Sequence, residues 1–165
     1  MALSAAGLGG CAPTAAPEPT PAPTPSLTQE QQDDAAFQDV FARYVNLSTT
    51  EETDEKLSQL LTGDALQSEI ASVRDISQKG ESQEGKSRMS AFEVTSRGRD
   101  PQGVSYMVAQ ACLDVSGTRI LDSGGRDVTP KRDDRLSLQM KAIKSEAGSW
   151  RISDSLRNET VHACD

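Results

Sequence analysis

The chain carries one histidine, His162, and two tyrosines, Tyr44 and Tyr106, so any proton transfer it performs falls to a short set of side chains. Tyr106 and Asp114 share one face of the alternating run Val104 to Val115, and a tyrosine beside a carboxylate is the one acid–base pair the sequence offers. Residues eight apart on a strand stand about 26 Å apart, too far to act on one small substrate. Asp114 comes just before Ser116-Gly117 and reads as turn chemistry at a strand end. His162 has no neighbouring nucleophile to orient it, so Ser/His/Asp catalysis is not supported. His162, Cys164 and Asp165 would make three metal ligands, but structural zinc takes four and the sequence holds no second Cys/His cluster. Gly124-Gly125 is a hairpin turn, since no helix with Lys or Ser/Thr follows to cradle a phosphate. No catalytic residue, metal or cofactor is assigned.

The elements that must position these residues fall into two halves. Phe37, Val40, Phe41, Tyr44 and Val45 recur at helical spacing behind Asp33-Asp34, whose charges suit a helix N-terminus. Tyr44 belongs to that apolar face, a core position with its hydroxyl at a rim. Thr49 with Glu52 three residues on forms a capping pattern ahead of Leu57, Leu60 and Leu61, which predicts a short second helix. Leu66, Ile70 and Val73 mark a third, fading between Ser77 and Gly80. The polar run from Gln78 to Lys86 reads as a mobile loop.

Beyond that loop the period drops to two. Met89 to Ser96 predicts a strand, 97–103 a turn, and Val104 to Val115 a long strand with both faces partly apolar, hence central. Thr118 to Asp122, Leu136 to Lys144 and Ser149 to Leu156 follow as strands separated by glycine-bearing turns. Trp150 reads as a core anchor beneath the helices. Helices first and antiparallel strands after is the order of an α+β fold with helices on one face of a sheet. No internal repeat is visible.

The net charge is −8, and it is unevenly spread. Residues 27–86 hold thirteen acids against five bases, whereas 87–165 are nearly balanced. Nucleic acid is disfavoured as a partner because it needs basic patches to neutralise phosphates. The acidic helical half reads as a solvated face.

Leu8-Gly9-Gly10-Cys11, followed by a tract with prolines at Pro13, Pro17, Pro19, Pro21, Pro23 and Pro25, resembles the lipobox and stalk of a bacterial lipoprotein. The resemblance implies that residues 1–10 are a truncated signal peptide, cut away once the Cys11 sulfur carries a diacylglycerol with palmitate-type chains. Two such chains make a stable membrane anchor where one is marginal. Residues 11–32 are then a proline-rich stalk, with polyproline II geometry able to hold a domain roughly 45 Å from the bilayer. The folded part, residues 33–165, is expected to be extracytoplasmic and held to the bacterial cell membrane by lipid. With Cys11 given to lipid, Cys112 and Cys164 remain, and an even pair in an oxidising compartment points to a disulfide.

The three helices, the meander of strands, the run Ala111-Cys112-Leu113-Asp114-Val115-Ser116-Gly117 and the closing Gly148-Ser149-Trp150-Arg151-Ile152-Ser153-Asp154 look like small actinobacterial lipoproteins of the nuclear transport factor 2-like superfamily. The likeness runs from about Asp33 to Cys164. It implies a cone: a strongly curved antiparallel sheet of about four to six strands wraps the helices and leaves a cavity at its wide end. Tyr44, Tyr106 and Asp114 are the ligand-binding candidates it suggests. Enzymes of the superfamily set an Asp or His base opposite Tyr, His or protonated Asp donors, while many members only bind. The reading favoured is a non-catalytic lipoprotein that binds a small apolar ligand or an envelope protein; the alternative is a small isomerase- or dehydratase-type enzyme using the cone cavity.

Overall fold

The computed structural model describes residues 26–48 and 50–165. Cys11, the proline-rich tract to Pro25 and the cap position Thr49 lie outside the described residues. Three helices come first, α1 (Gln29–Val45), α2 (Asp54–Leu60) and α3 (Gly63–Lys79). Six strands follow: β1 (Ser82–Gly85), β2 (Arg88–Arg99), β3 (Ser105–Asp114), β4 (Thr118–Leu121), β5 (Arg135–Lys144) and β6 (Trp150–Arg157). They form two antiparallel sheets, one of four strands in the order β2-β3-β5-β6 and one of two, β1-β4. A short 3-10 turn, Glu159–Val161, ends the chain.

The helix starts differ from the sequence reading. α1 begins four residues ahead of Asp33, because Thr28 and Gln31 close a reciprocal capping box: Gln31 N donates to Thr28 Oγ1 at 3.2 Å and Thr28 N to Gln31 Oε1 at 2.9 Å. A glutamine at the third helical position fills the role usually read from a glutamate. α2 is capped by Thr53, whose hydroxyl accepts from Lys56 N. α3 stops at Gly80, which takes the left-handed backbone that a side chain would resist.

One helical stripe and one sheet face make the core. Phe37, Val40 and Phe41 of α1 and Leu57 and Leu60 of α2 meet Met107, Ala109 and Ala111 of β3, Met140 and Ala142 of β5, and Ile152 of β6. All are buried, and each large side chain so placed contributes about 1.5 to 3 kcal/mol. The small residues of β3 and β5 let the helices settle close to the sheet. β3 lies between β2 and β5, the central position its two-sided pattern predicts.

The run expected to be a mobile loop holds a strand instead. Ser82 to Gly85 pairs with β4 through Ser82↔Leu121 to Gly85↔Thr118. All four residues are exposed, so no apolar alternation announced them. The expected turn at 97–103 is also shorter, because β2 continues to Arg99 and pairs with Ser105.

β2 is interrupted twice. Register shifts fall between Ser90 and Glu93 and between Val94 and Ser96, and Ala91 in the first has φ of 50°. The first irregularity turns Phe92 towards the helices, where its ring meets Phe37 edge-on with centroids 5.3 Å apart. The outer edge of β6 is closed by α2's end, where Leu61 bridges Ile152 and Thr62 N donates to Ile152 O at 2.8 Å. β2 forms the opposite edge of the four-stranded sheet.

Cys112 and Cys164 form a disulfide spanning 52 residues. It fastens the C-terminal segment to the sheet face opposite the helices, where Asn158 N donates to Ser137 O and Cys164 N to Ser137 Oγ.

Candidate functional site

The chain enters the fold beside a cleft. Glu30 and Asp33 of α1 face the ends of β2, β3, β5 and β6 across a cavity of about 300 Å3, with Arg97, Arg99, Lys144 and Trp150 among its walls. The hairpin that joins β5 to β6 sets Lys144 opposite Trp150 in register, so both reach the start of α1. Asp33 Oδ1 accepts from Trp150 Nε1 and from Lys144 Nζ, each at 3.0 Å. The Lys144 ammonium also lies 5.3 Å from the Trp150 ring centroid. Beside them, Arg97 Nη2 is 3.0 Å from Asp34 Oδ1 and donates to Oδ2 at 3.1 Å.

Partial burial pushes the Asp33 carboxyl up, but the hydrogen bonds from Trp150 and Lys144 outweigh it and hold the group below the usual carboxylate range. Asp33 is therefore a fixed anion that organises its neighbours, and a poor base. Arg99 gives Nη1 to Gly103 O at 3.0 Å and joins no ion pair among the described residues. The cleft thus has polar, charge-lined walls over a floor that includes Met107 and Trp150.

The three candidates named from the sequence lie in three places. Tyr106 touches this cleft, but its ring stands on the other face of the sheet, over Gly98 and under Lys141 Nζ, which is 5.1 Å from the ring centroid. Tyr44 lines a separate pocket of about 150 Å3 with Glu69, Asp64 and Asp154. Its hydroxyl donates to Glu69 Oε2 at 2.6 Å, and burial first, then the Glu69 charge, push the phenol far above its ordinary value. Asp114 lines a third pocket, at the far end of β3. Its Oδ1 accepts from Ser116 N at 2.9 Å and Ser116 Oγ at 2.6 Å, which holds it below the usual range. The Tyr44 hydroxyl and the Asp114 carboxylate already have partners, and no two of the three residues share a cavity.

His162 is exposed, with Nδ1 2.9 Å from Asp165 Oδ2, and the Cys164 sulfur is spent in the disulfide. Among the described residues no group of three or more His, Cys, Asp and Glu side chains is placed to hold a metal ion. Among them, too, no helix is long and apolar enough to cross a membrane.

Sequence reasoning missed Asp33, Arg97, Arg99 and Lys144. Asp33 looked like an ordinary N-terminal acid, and only the β5–β6 hairpin register, legible from Ala147-Gly148, could have aligned Lys144 with Trp150.

No family model matches the chain, and no curated protein does. Among solved structures it is similar to the intermembrane space region of the chloroplast protein ARC6, with a TM-score of 0.52 and 14% identity over 81% of this chain and 98% of that one. A periplasmic fragment of TraM gives 0.48 at 17% identity, covering 77% of this chain and 97% of that one. The putative transfer protein TraH from the Gram-positive conjugative plasmid pIP501 gives 0.44 at 10%, covering 81% and 96%. At these identities the similarity to the ARC6 region is one of fold: helices and antiparallel strands in an α+β arrangement.

Proposed function

We propose that the chain is an extracytoplasmic lipoprotein, anchored through Cys11, whose α+β domain binds a small ligand or an envelope protein and performs no catalysis. The observation that carries the non-catalytic reading is the dispersal of Tyr44, Tyr106 and Asp114 into three sites. A general base must reach the reacting proton opposite a donor. Of the two carboxylates that line the cleft, Glu30 and Asp33, the partly buried Asp33 is locked to Trp150 and Lys144. The cleft has the size of a small-molecule site, at the lower end of the usual range of about 300 to 1,000 Å3.

The disulfide supports an oxidising compartment, where such bonds persist. The two irregularities of β2 and the shift between Lys141 and Ala142 in the β5–β6 pair bend strands, which supports a curved, cone-like sheet of the nuclear transport factor 2-like kind.

Mass spectrometry of the chain purified from its own membranes tests the reading. The peptide beginning at Cys11 should carry a diacylglycerol, and Cys11→Ala should release the protein to the medium. A bare Cys11 in the native protein overturns the anchor. Turnover of a carbonyl or dehydratable substrate, abolished by Asp33→Asn, overturns the non-catalytic assignment.

A further inference from the structure

Six charged side chains stand in or beside the cleft at the start of α1. Four of them answer one another: Lys144 Nζ lies 3.0 Å from Asp33 Oδ1, and Arg97 Nη2 lies 3.0 Å from Asp34 Oδ1. Glu30 and Arg99 are the remaining two, and both line the cavity. Neither joins an ion pair among the described residues, with the other or with any third group. Arg99 gives Nη1 to Gly103 O, which leaves Nε and Nη2 unspent, and the Glu30 carboxylate accepts no hydrogen bond among the described residues.

The fold sets the two on opposite walls. The Thr28–Gln31 capping box starts α1 at Gln29, so Glu30 and Asp33, three apart, share the helix face that borders the cavity. β2 runs on to Arg99, which pairs with Ser105, and Arg97 and Arg99, two apart on the strand, project to the same side. One wall therefore offers an unpaired carboxylate and the other an unpaired guanidinium. Between them lie Met107, 1% exposed, and Trp150, 7% exposed, which make an apolar floor.

A rim charge in water contributes little by itself, but a ligand that fills the cleft strips its water away and must answer it. A lone anion beside Arg99 also faces Glu30 and Asp33. A lone cation beside Glu30 also faces Arg99 and Lys144. The acids Glu30, Asp33 and Asp34 balance the bases Arg97, Arg99 and Lys144, so an occupant without net charge leaves the site neutral. A molecule that carries both an ammonium and a carboxylate gains two attractions, and the Arg99 fork can take its carboxylate with two N–H groups. The cavity, about 300 Å3, holds the volume of roughly ten waters, enough for one amino acid.

We infer that this cleft binds a zwitterion of the amino-acid class, with its ammonium at Glu30, its carboxylate at Arg99 and an apolar side chain over Met107 and Trp150. The inference rests on the reading of the cleft as a small-ligand site and names the chemistry of that ligand.

The test is a titration of the full, disulfide-intact chain at neutral pH and fixed ionic strength, read by amide NMR at Glu30, Arg99 and Ser105. The probes are L-leucine, isoamylamine, which is leucine without its carboxylate, and isocaproate, which is leucine without its ammonium. Leucine should give saturable shifts, and each single-charge analogue should bind about tenfold or more weakly. In Arg99→Gln leucine and isoamylamine should bind alike, and in Glu30→Gln leucine and isocaproate should. Arg99→Lys should keep the preference for leucine, and Lys56→Gln should change nothing. The dipeptide Leu-Gly separates two sources of such a zwitterion: binding weaker than that of leucine marks a free amino acid, and binding as tight or tighter marks a short peptide. A preference for leucine that survives both substitutions overturns the inference. An analogue that binds the wild-type chain as tightly as leucine overturns it too, and leaves the small-ligand reading standing. Absence of saturable shifts with all four probes removes both.

Discussion

Trp150 Nε1 donates to Asp33 Oδ1 at 3.0 Å, so the second turn of the first helix is bonded to the first residue of the last strand. Removing the acceptor leaves a largely buried indole N–H and the Lys144 ammonium without it. Asp33→Ala should cost about 1 to 3 kcal/mol, read as a lower midpoint in urea. The bonds from Trp150 and Lys144 depress the Asp33 carboxyl, so its contribution is present above the unfolded value and fades as pH falls through the folded one. The gap between wild type and Asp33→Ala should narrow below about pH 4. A gap of constant size down to about pH 2.5 contradicts this account.

Ala91 holds a left-handed backbone that costs an L-residue roughly 1 to 2 kcal/mol. Ala91→Gly should therefore raise stability by about 1 kcal/mol while keeping Phe92 against Phe37. Thermal melts and the ring shifts of Phe92 check it; a destabilised variant would mean that the Ala91 methyl does more than tolerate its position.

Cutting the disulfide should be expensive. Closing 52 residues constrains the unfolded chain by roughly 4 kcal/mol on the entropy model. Cys112→Ser should lower the melting temperature and leave Cys164 open to a thiol reagent. Two reactive thiols in the native protein and an unaltered melt would falsify the bridge.

Tyr44 should resist ionisation. Burial and the neighbouring Glu69 charge keep its phenol protonated, so in a Tyr106→Phe background the tyrosinate band near 295 nm should appear only with unfolding. A band that rises near pH 10 while the far-UV spectrum stays native refutes the burial argument.

Glu52 gives the opposite sign to Asp33. Burial, then repulsion from Glu69, raises its carboxyl, so the charged form is disfavoured in the fold. Glu52→Gln should raise the melting temperature at neutral pH, with the gain vanishing as pH falls and wild-type Glu52 takes up its proton. A variant that melts lower at pH 7 would place Glu52 among the stabilising contacts.

The apolar periodicities of α1, α2, β3 and β5 were legible because burial wrote them into the sequence: Phe37, Leu57, Met107 and Met140 all lie in one core. The disulfide was legible from parity and compartment once Cys11 was set aside. β1 was not, since four exposed residues paired with β4 carry no apolar alternation for the sequence to show. The cleft was not either: Asp33 lies 111 residues from Lys144 and 117 from Trp150, and what joins it to that hairpin is a helix approach that no single segment encodes. The candidates drawn from resemblance, Tyr44, Tyr106 and Asp114, were polar groups in suggestive places, and their dispersal depends on which face and which end of the sheet each occupies.

The broken rail of β2 has a consequence for neighbours. An unbroken outer edge would offer any second copy a template of main-chain donors and acceptors, and crowding would then favour endless ribbons. The kinks at Ala91 and Thr95, with Arg97 and Arg99 on the same edge strand, spoil that template. Molecules packed shoulder to shoulder should therefore stay individually soluble instead of stitching into fibres.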